Sequence, residues 1–269
     1  IQTVRGPIAP EELGPTLVHE HLIVDFAGAD VTGPHRWQRD AVVTRMLPYL
    51  QEIRNQGITG FVDCAPAYLG RDPAVLLRLS ELTGVHVLTN TGLYKEPYLP
   101  RYAFELSASA LAETWVCEWR EGIADTGVRP GFIKIAVNPG PLVAVQRKIV
   151  AAAALAHVAT GLTVASHTGH AQAAQESLDI AAAAGMPLNR YIVVHADAID
   201  DVREHIRLAK RGVWLEYDGI GSRPLVDHVD LVTNMLDRGY GGQILLSHDA
   251  GWYHVGEPNG GEVRPFTTI

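Results

Sequence analysis

The chain repeats one alternation from end to end: a short apolar run rich in β-branched residues, then a longer amphipathic or Ala-rich stretch. Strand signals fall at 16–21 (TLVHEH), 59–64 (TGFVDC), 85–91 (VHVLTNT), 131–137 (GFIKIAV), 162–168 (LTVASHT), 191–196 (YIVVHA), 213–218 (VWLEYD) and 243–248 (QILLSH). Helical stretches occupy 38–56, 72–83, 103–126, 141–160, 171–185, 200–211 and 224–239. Several end on glycine, as in Gln56-Gly57, Thr83-Gly84, Thr160-Gly161 and Arg211-Gly212, where a helix terminus favours left-handed backbone. Eight strands with intervening helices, and no Pro/Gly-rich linker, point to a single α/β domain over 1–269. The expected architecture is a (β/α)8 TIM barrel with a short N-terminal strand segment. An open doubly wound sheet would place a glycine-rich phosphate loop after its first strand, and HEHLIVDFAG is not one.

The alternation stops one helix short. After the eighth strand the chain offers WYHVGEPNGGEVRPFTTI, with no eighth helix. Without that helix the outer apolar faces of strands eight and one meet water. The expectation is that a C-terminal segment is missing from the sequence; a covering neighbouring subunit is the alternative.

Composition narrows the class. Hydrophobic residues make up 47% of the 269 and charged residues 19%, a soluble globular balance. A formal charge of −8 argues against nucleic acid or anionic membrane as a partner. No apolar run approaches the ~20 residues that span a bilayer, and IQTVRGPIAP does not read as a signal peptide, although the chain lacks a starting Met. Cys64 and Cys117 suggest no disulfide framework and read as buried thiols in a reducing, cytoplasmic compartment. A small-molecule substrate and a homodimeric assembly complete the expected setting.

Chemistry concentrates at the strand ends. His19 and His21 sit in LVHEHL, Lys134 in GFIKIAV, His167 in LTVASHTG, His195 in YIVVHAD and Asp249 in ILLSHDAG. A strand alternates its faces with period two, so His19 and His21 share a face while Glu20 points oppositely. A lone strand histidine is usually a satisfied core residue. Here, however, four imidazoles, a carboxylate and a lysine coincide at the barrel face where active sites are built. Such donors suit zinc first, with iron, cobalt, nickel or manganese as alternatives, and suit calcium poorly. Lys134 is the unusual member, because an ammonium facing two divalent cations suffers repulsion and desolvation that disfavour its charged form. A neutral amine can take up carbon dioxide as a carbamate, an anion whose two oxygens can bridge a metal pair. A lysine snorkelling to solvent would fit poorly between Phe132, Ile133, Ile135 and Val137.

The motifs TVRGPI…TLVHEH, GFIKIAV, the strands ending SHT and VHAD, and LLSHD resemble, in order and across the chain, the phosphotriesterase-like proteins of the amidohydrolase superfamily. The resemblance implies one divalent metal held by His19, His21 and Asp249 and a second held by His167 and His195. A carboxylated Lys134 and a hydroxide would bridge them. It also implies hydrolysis of lactones, carboxyl esters or organophosphate triesters, with Asp249 accepting the proton and no G-x-S-x-G nucleophile required.

Substrate contacts are expected from Tyr94, which resembles the tyrosine that lactonase-type members place over their metals, and from Trp252, Tyr253 and His254 after strand eight. Strand seven departs from the family: Gly219 stands where phosphotriesterases tend to carry His and lactonases Arg, with Arg223 a substitute. Asp218 reads as structural or pocket-lining, and Asp63 as orienting a ligand or loop. Asp197, Asp200 and Asp201 read as partners of a ligand imidazole or as helix caps, and His170 as a loop residue near the site. Three functions follow in order: a binuclear hydrolase of lactones or carboxyl esters, a phosphotriester hydrolase with the same site, and a non-catalytic metal-holding barrel.

Overall fold

A computed structural model describes residues 1–268; Ile269, the last position of the 1–269 unit, lies outside the described residues. An antiparallel pairing of Gln2–Thr3 with Gly6–Pro7 forms the N-terminal strand segment, and a helical turn at Pro10–Leu13 leads into the barrel. The barrel strands are β1 (Thr16–Val24), β2 (Gly60–Asp63), β3 (His86–Leu88 and Asn90–Thr91), β4 (Phe132–Ala136), β5 (Val164–His167), β6 (Tyr191–Val194), β7 (Trp214–Tyr217) and β8 (Ile244–Leu246 and Ala250–His254). Helices α1 (Arg39–Asn55), α2 (Pro73–Thr83), α3 (Ala108–Glu121), α4 (Ala144–Thr160), α5 (Ala171–Ala183), α6 (Val202–Lys210) and α7 (Leu225–Asp237) follow the first seven strands.

Every barrel pairing is parallel, as the crossover helices require. The ladders form a six-stranded and a four-stranded sheet, and β3 and β8 contribute one half to each. In β8, Ile244–Leu246 pair with β7 and Ala250–His254 pair with β1. The intervening residues Ser247, His248 and Asp249 leave the ladder. That break turns Asp249, at φ +49°, out of the strand.

A buried carboxylate holds the seam. Glu20, fully enclosed on the face of β1 opposite His19 and His21, accepts from Ser247 Oγ (2.8 Å), His248 N (3.1 Å), His248 Nδ1 (2.8 Å) and Ala250 N (2.8 Å). His248 therefore packs against the reverse face of β1, as its position beside Asp249 implies.

Two expectations change in detail. The stretch 103–126 is not one helix: a turn at Tyr102–Glu105 stops at Leu106, Ser107 caps α3 by accepting from Ala110 N at 3.2 Å, and a further turn occupies Ala124–Thr126. The bare face is also narrower than expected. No α-helix follows β8 among the described residues, only a 3₁₀ turn at Pro258–Gly260, but the tail folds back. Gly251 and Arg264 exchange backbone hydrogen bonds of 3.0 and 2.9 Å, and Phe266 packs at 5.1 Å from Phe61 and 6.4 Å from Tyr49. Leu246 and the outer side of α7 remain exposed, and Ile244 and Leu245 are half-buried. Among the described residues no helix is long and apolar enough to cross a membrane, and Cys64 and Cys117 are free.

Candidate metal centre

At the C-terminal mouth, His19, His21, Lys134, His167, His195 and Asp249 line one small cavity of about 80 Å³, with Tyr94, Trp252 and Cys64 beside them. Each arrives by a local device. His19 and His21 project inward from β1 by the two-residue period. Lys134 comes from the middle of β4 and is 1% exposed, His167 closes β5, and His195 follows β6. His195 (φ +57°), Asp249 (φ +49°) and Trp252 (φ +78°) all hold left-handed backbone. Side-chain-bearing residues adopt it at a cost, and it clusters at functional sites.

The ring nitrogens are sorted into two sides. His19 Nδ1 lies 2.7 Å from both Glu216 Oε1 and Asp218 Oδ2, and His195 Nδ1 lies 2.7 Å from Asp218 Oδ1. Asp218 thus spans two imidazoles, fixing their Nδ1–H tautomers and leaving each Nε2 to the cavity. On that side His19 Nε2 is 3.3 Å from Lys134 Nζ and 3.6 Å from Asp249 Oδ1. His195 Nε2 is 2.7 Å from His167 Nδ1, and His167 Nε2 is 2.7 Å from Lys95 Nζ. Tyr94 Oη stands 3.2 Å from His167 Nδ1.

Electrostatics favour the neutral imidazole at His167 and His21, whereas at His19 the desolvation of burial is outweighed by Cys64, Asp218 and Glu216, which raise it well above its ordinary pKa. Burial, then repulsion from His195 and Lys95, holds His167 well below its ordinary pKa, and burial lowers His21. Burial pushes the Asp249 carboxyl up, but the His19 and His21 rings outweigh it and hold Asp249 below the usual carboxylate range. Asp63, buried and accepting from Leu22 N at 2.9 Å, is pushed up to about 7. It braces β1 just beyond His21, in keeping with an orienting role.

The residues fit divalent metals on chemistry and on unmet bonding. The candidate ligand atoms of His19, His195 and Asp249 all lie within 4.8 Å of one another. His21 Nδ1 and Asp249 Oδ1 are buried without a hydrogen-bond partner, although Asp249 Oδ1 lies only 3.0 Å from His21 Nε2. Lys134 is enclosed with no carboxylate paired to it among the described residues.

The other expected contacts divide. Trp252 stands edge-on to His21, centroids 5.5 Å apart, and walls the cavity. Tyr253 does not join: it lines a separate 990 Å³ groove with Arg45 and Tyr49 on the outer side of α1. Strand alternation explains this, because Tyr253 and Trp252 face opposite ways. His254 packs near Trp252 at 5.8 Å and lines neither cavity. Arg223 borders an adjoining cavity of about 380 Å³ and donates to Asp197 O at 2.7 Å.

His170 turns aside, its Nδ1 accepting from Gly140 N at 3.2 Å. Asp201 caps α6, and Asp197 bonds Gly219 N and His228 Nε2, each at 2.8 Å, so Asp218 rather than these residues orients His195. A Cβ at Gly219 would meet Asp197 Oδ2 at 2.5 Å, so Asp197 fills the room that a strand-seven side chain would need.

A barrel mouth with this donor set defines a class, the metal-dependent hydrolases. The model of the Phosphotriesterase family matches residues 1–262, and the chain belongs to that family. It is 31% identical over 267 residues to the Phosphotriesterase homology protein of Mycobacterium tuberculosis (strain ATCC 25618 / H37Rv), covering 94% of this chain and 81% of that one. It is 25% identical to an aryldialkylphosphatase of Saccharolobus solfataricus, covering 91% of this chain and 79% of the relative. A mutant of a PTE-like lactonase from Deinococcus radiodurans superposes with a TM-score of 0.86 at 30% identity, covering 96% of this chain and 84% of that structure.

Proposed function

We propose that the protein is a binuclear hydrolase in which His19, His21 and Asp249 hold one divalent ion, His167 and His195 hold a second, and a carboxylated Lys134 bridges the pair. The observation that carries the reading is the convergence of all six groups on one 80 Å³ cavity. The ions, when bound, lower the pKa of a water between them and polarise the substrate oxygen. Asp249 Oδ1 receives the proton of the attacking water, Tyr94 presents a phenol that burial keeps protonated, and Trp252 excludes bulk solvent. Lactones and carboxyl esters are the favoured substrates, supported by the likeness to a PTE-like lactonase and by Tyr94 beside His167. Phosphotriesters are the second reading, supported by the aryldialkylphosphatase relative.

Zinc is the favoured metal, with iron, cobalt and manganese the alternatives. A cytoplasmic homodimer remains part of the same reading; sedimentation of the purified chain checks its stoichiometry. Elemental analysis should give close to two divalent ions per chain, and one or none refutes the binuclear reading. Lys134→Ala should lose metal and activity together, with partial rescue of both by short carboxylic acids. A screen of lactones, aryl esters and paraoxon-like triesters with the metal-loaded protein then ranks the substrates. Absence of turnover on all three would leave a non-catalytic metal-holding barrel.

A further inference from the structure

The cavity above the candidate centre carries a charge pattern that a neutral lactone or triester does not need. It measures about 380 Å³ and is bordered by three cationic side chains, Lys95, Arg223 and Arg264, from three separate segments. None of the three has a carboxylate partner among the described residues. Lys95 Nζ meets an imidazole, His167 Nε2 at 2.7 Å, and the Tyr94 ring, 5.5 Å from its centroid; Arg223 Nη1 meets Asp197 O at 2.7 Å; Arg264 meets Asp249 O at 3.1 Å and His248 O at 3.2 Å.

The acids on the same wall are already engaged. Asp218 holds His19 and His195, Asp249 faces His19 and His21, and Asp197 Oδ2 takes Gly219 N and His228 Nε2. Lys95 is half-buried.

We infer that the substrate carries an anionic group, a carboxylate or sulfonate, which Lys95 and Arg223 seat while the scissile ester faces the metal-ligand cavity. This rests on the hydrolase reading and names its substrate class. Arg presents paired donors in the fork geometry that matches a carboxylate or sulfonate, and Lys adds a mobile point charge. Arg264, with its guanidinium spread over two backbone carbonyls, supplies fixed positive potential below them. Gly219 borders the same cavity, and its lack of a Cβ leaves room for Asp197, whose carbonyl holds Arg223 from the loop after β7. An anionic group gains an attraction to Lys95 and Arg223 that a neutral one lacks, so the effect should appear chiefly in KM.

The test compares substrates that differ only in the charge. Metal-loaded protein would be assayed by pH-stat on γ-valerolactone and on 5-oxotetrahydrofuran-2-carboxylate, in which a carboxylate replaces the methyl group. Paraoxon serves as the neutral triester. The anionic lactone should show the higher kcat/KM. In Lys95→Met and Arg223→Gln, the ratio of anionic to neutral kcat/KM should fall tenfold or more, mostly through KM. Lys95→Arg and Arg223→Lys should restore part of that ratio, which a merely structural role would not.

Isothermal titration gives a readout free of turnover: 1-butanesulfonate, a poor metal ligand, should bind at least tenfold more tightly than 1-butanol, and lose that margin in the two neutral variants. Preference for γ-valerolactone or paraoxon, or a ratio indifferent to both residues, overturns the inference and leaves the hydrolase standing. Lys95- and Arg223-dependent sulfonate binding without hydrolysis of any ester supports the anion site and overturns the hydrolase reading instead.

Discussion

Asp218 does at one residue what a metal-binding mouth needs before any metal arrives. Its two oxygens each sit 2.7 Å from an Nδ1, of His19 and of His195, and so one carboxylate sets two tautomers. Asp218→Asn replaces one of those oxygens with an amide nitrogen that donates, setting donor against donor at one ring. Metal retention should fall about 10–100-fold, the usual effect of losing a carboxylate behind a ligating histidine. Competition with a chromophoric chelator measures it, and unchanged affinity with an intact circular dichroism spectrum would refute the role. The ligand candidates were legible from period-two alternation, which fixed the face of His19 and His21. The same signal was present in LEYD, where Glu216 and Asp218 share a face, but an acidic pair is ambiguous without knowing that the barrel sets β7 one strand away from β1, across β8. Lys95 was not legible at all, because it lies in a loop and no periodicity governs where a loop residue points.

At the scale of elements, two contacts decide how strands and helices stay in place. Glu20 joins the broken β8 to β1 by accepting four hydrogen bonds on two oxygens. Glu20→Gln keeps the shape but puts an NH₂ where protein donors already point, leaving buried groups unpaired at about 1–3 kcal/mol. The thermal midpoint should drop by several degrees, with weaker metal retention, because Asp249 hangs from the same seam; an unchanged midpoint would exclude this.

Beside β7, His205 of α6 lies fully buried, with Nδ1 2.8 Å from Tyr217 Oη and Nε2 2.7 Å from Ile199 O. Burial lowers its pKa below the ordinary 6.5, so the unfolded chain binds the proton more readily. Its contribution to stability is therefore complete above pH 6.5 and declines as pH falls from there through the lowered native value. The limiting slope is about 1.4 kcal/mol per pH unit for one group. Urea unfolding at pH 7.5 and 5.5 should show this loss in the native chain and a smaller one in His205→Gln; equal losses would show that other groups carry it. Element types and order were readable from apolar periodicity. The break at Leu106–Ser107 was not, because 103–126 keeps helical composition across it and only the Ser107 cap marks the restart.

Across the whole molecule, the side of the barrel where the alternation runs out is the side left apolar. On α7, Leu225, Val226, Val229 and Leu236 are 53–60% exposed, and among its thirteen residues only His228 and Met235 are buried. Beside them Ile244–Leu246 is incompletely covered, while Phe266 plugs the neighbouring layer between β2 and α1. The sequence pattern did not show that residues after β8 would fold back over β2 and α1, since Phe266 in a Pro/Gly-rich stretch has no periodic signature. A contiguous apolar strip of this kind favours non-specific association over any gain in fold stability. Val226→Lys with Val229→Glu removes two exposed apolar groups at positions that make no core contact. The free energy of unfolding should then stay within about 0.5 kcal/mol of the parent, as for other surface changes. The onset of light scattering on heating and on concentration should move upward. A loss of stability well beyond that margin would mean that these side chains pack against something in the folded molecule, and an unchanged scattering onset would mean that the strip is not what drives association.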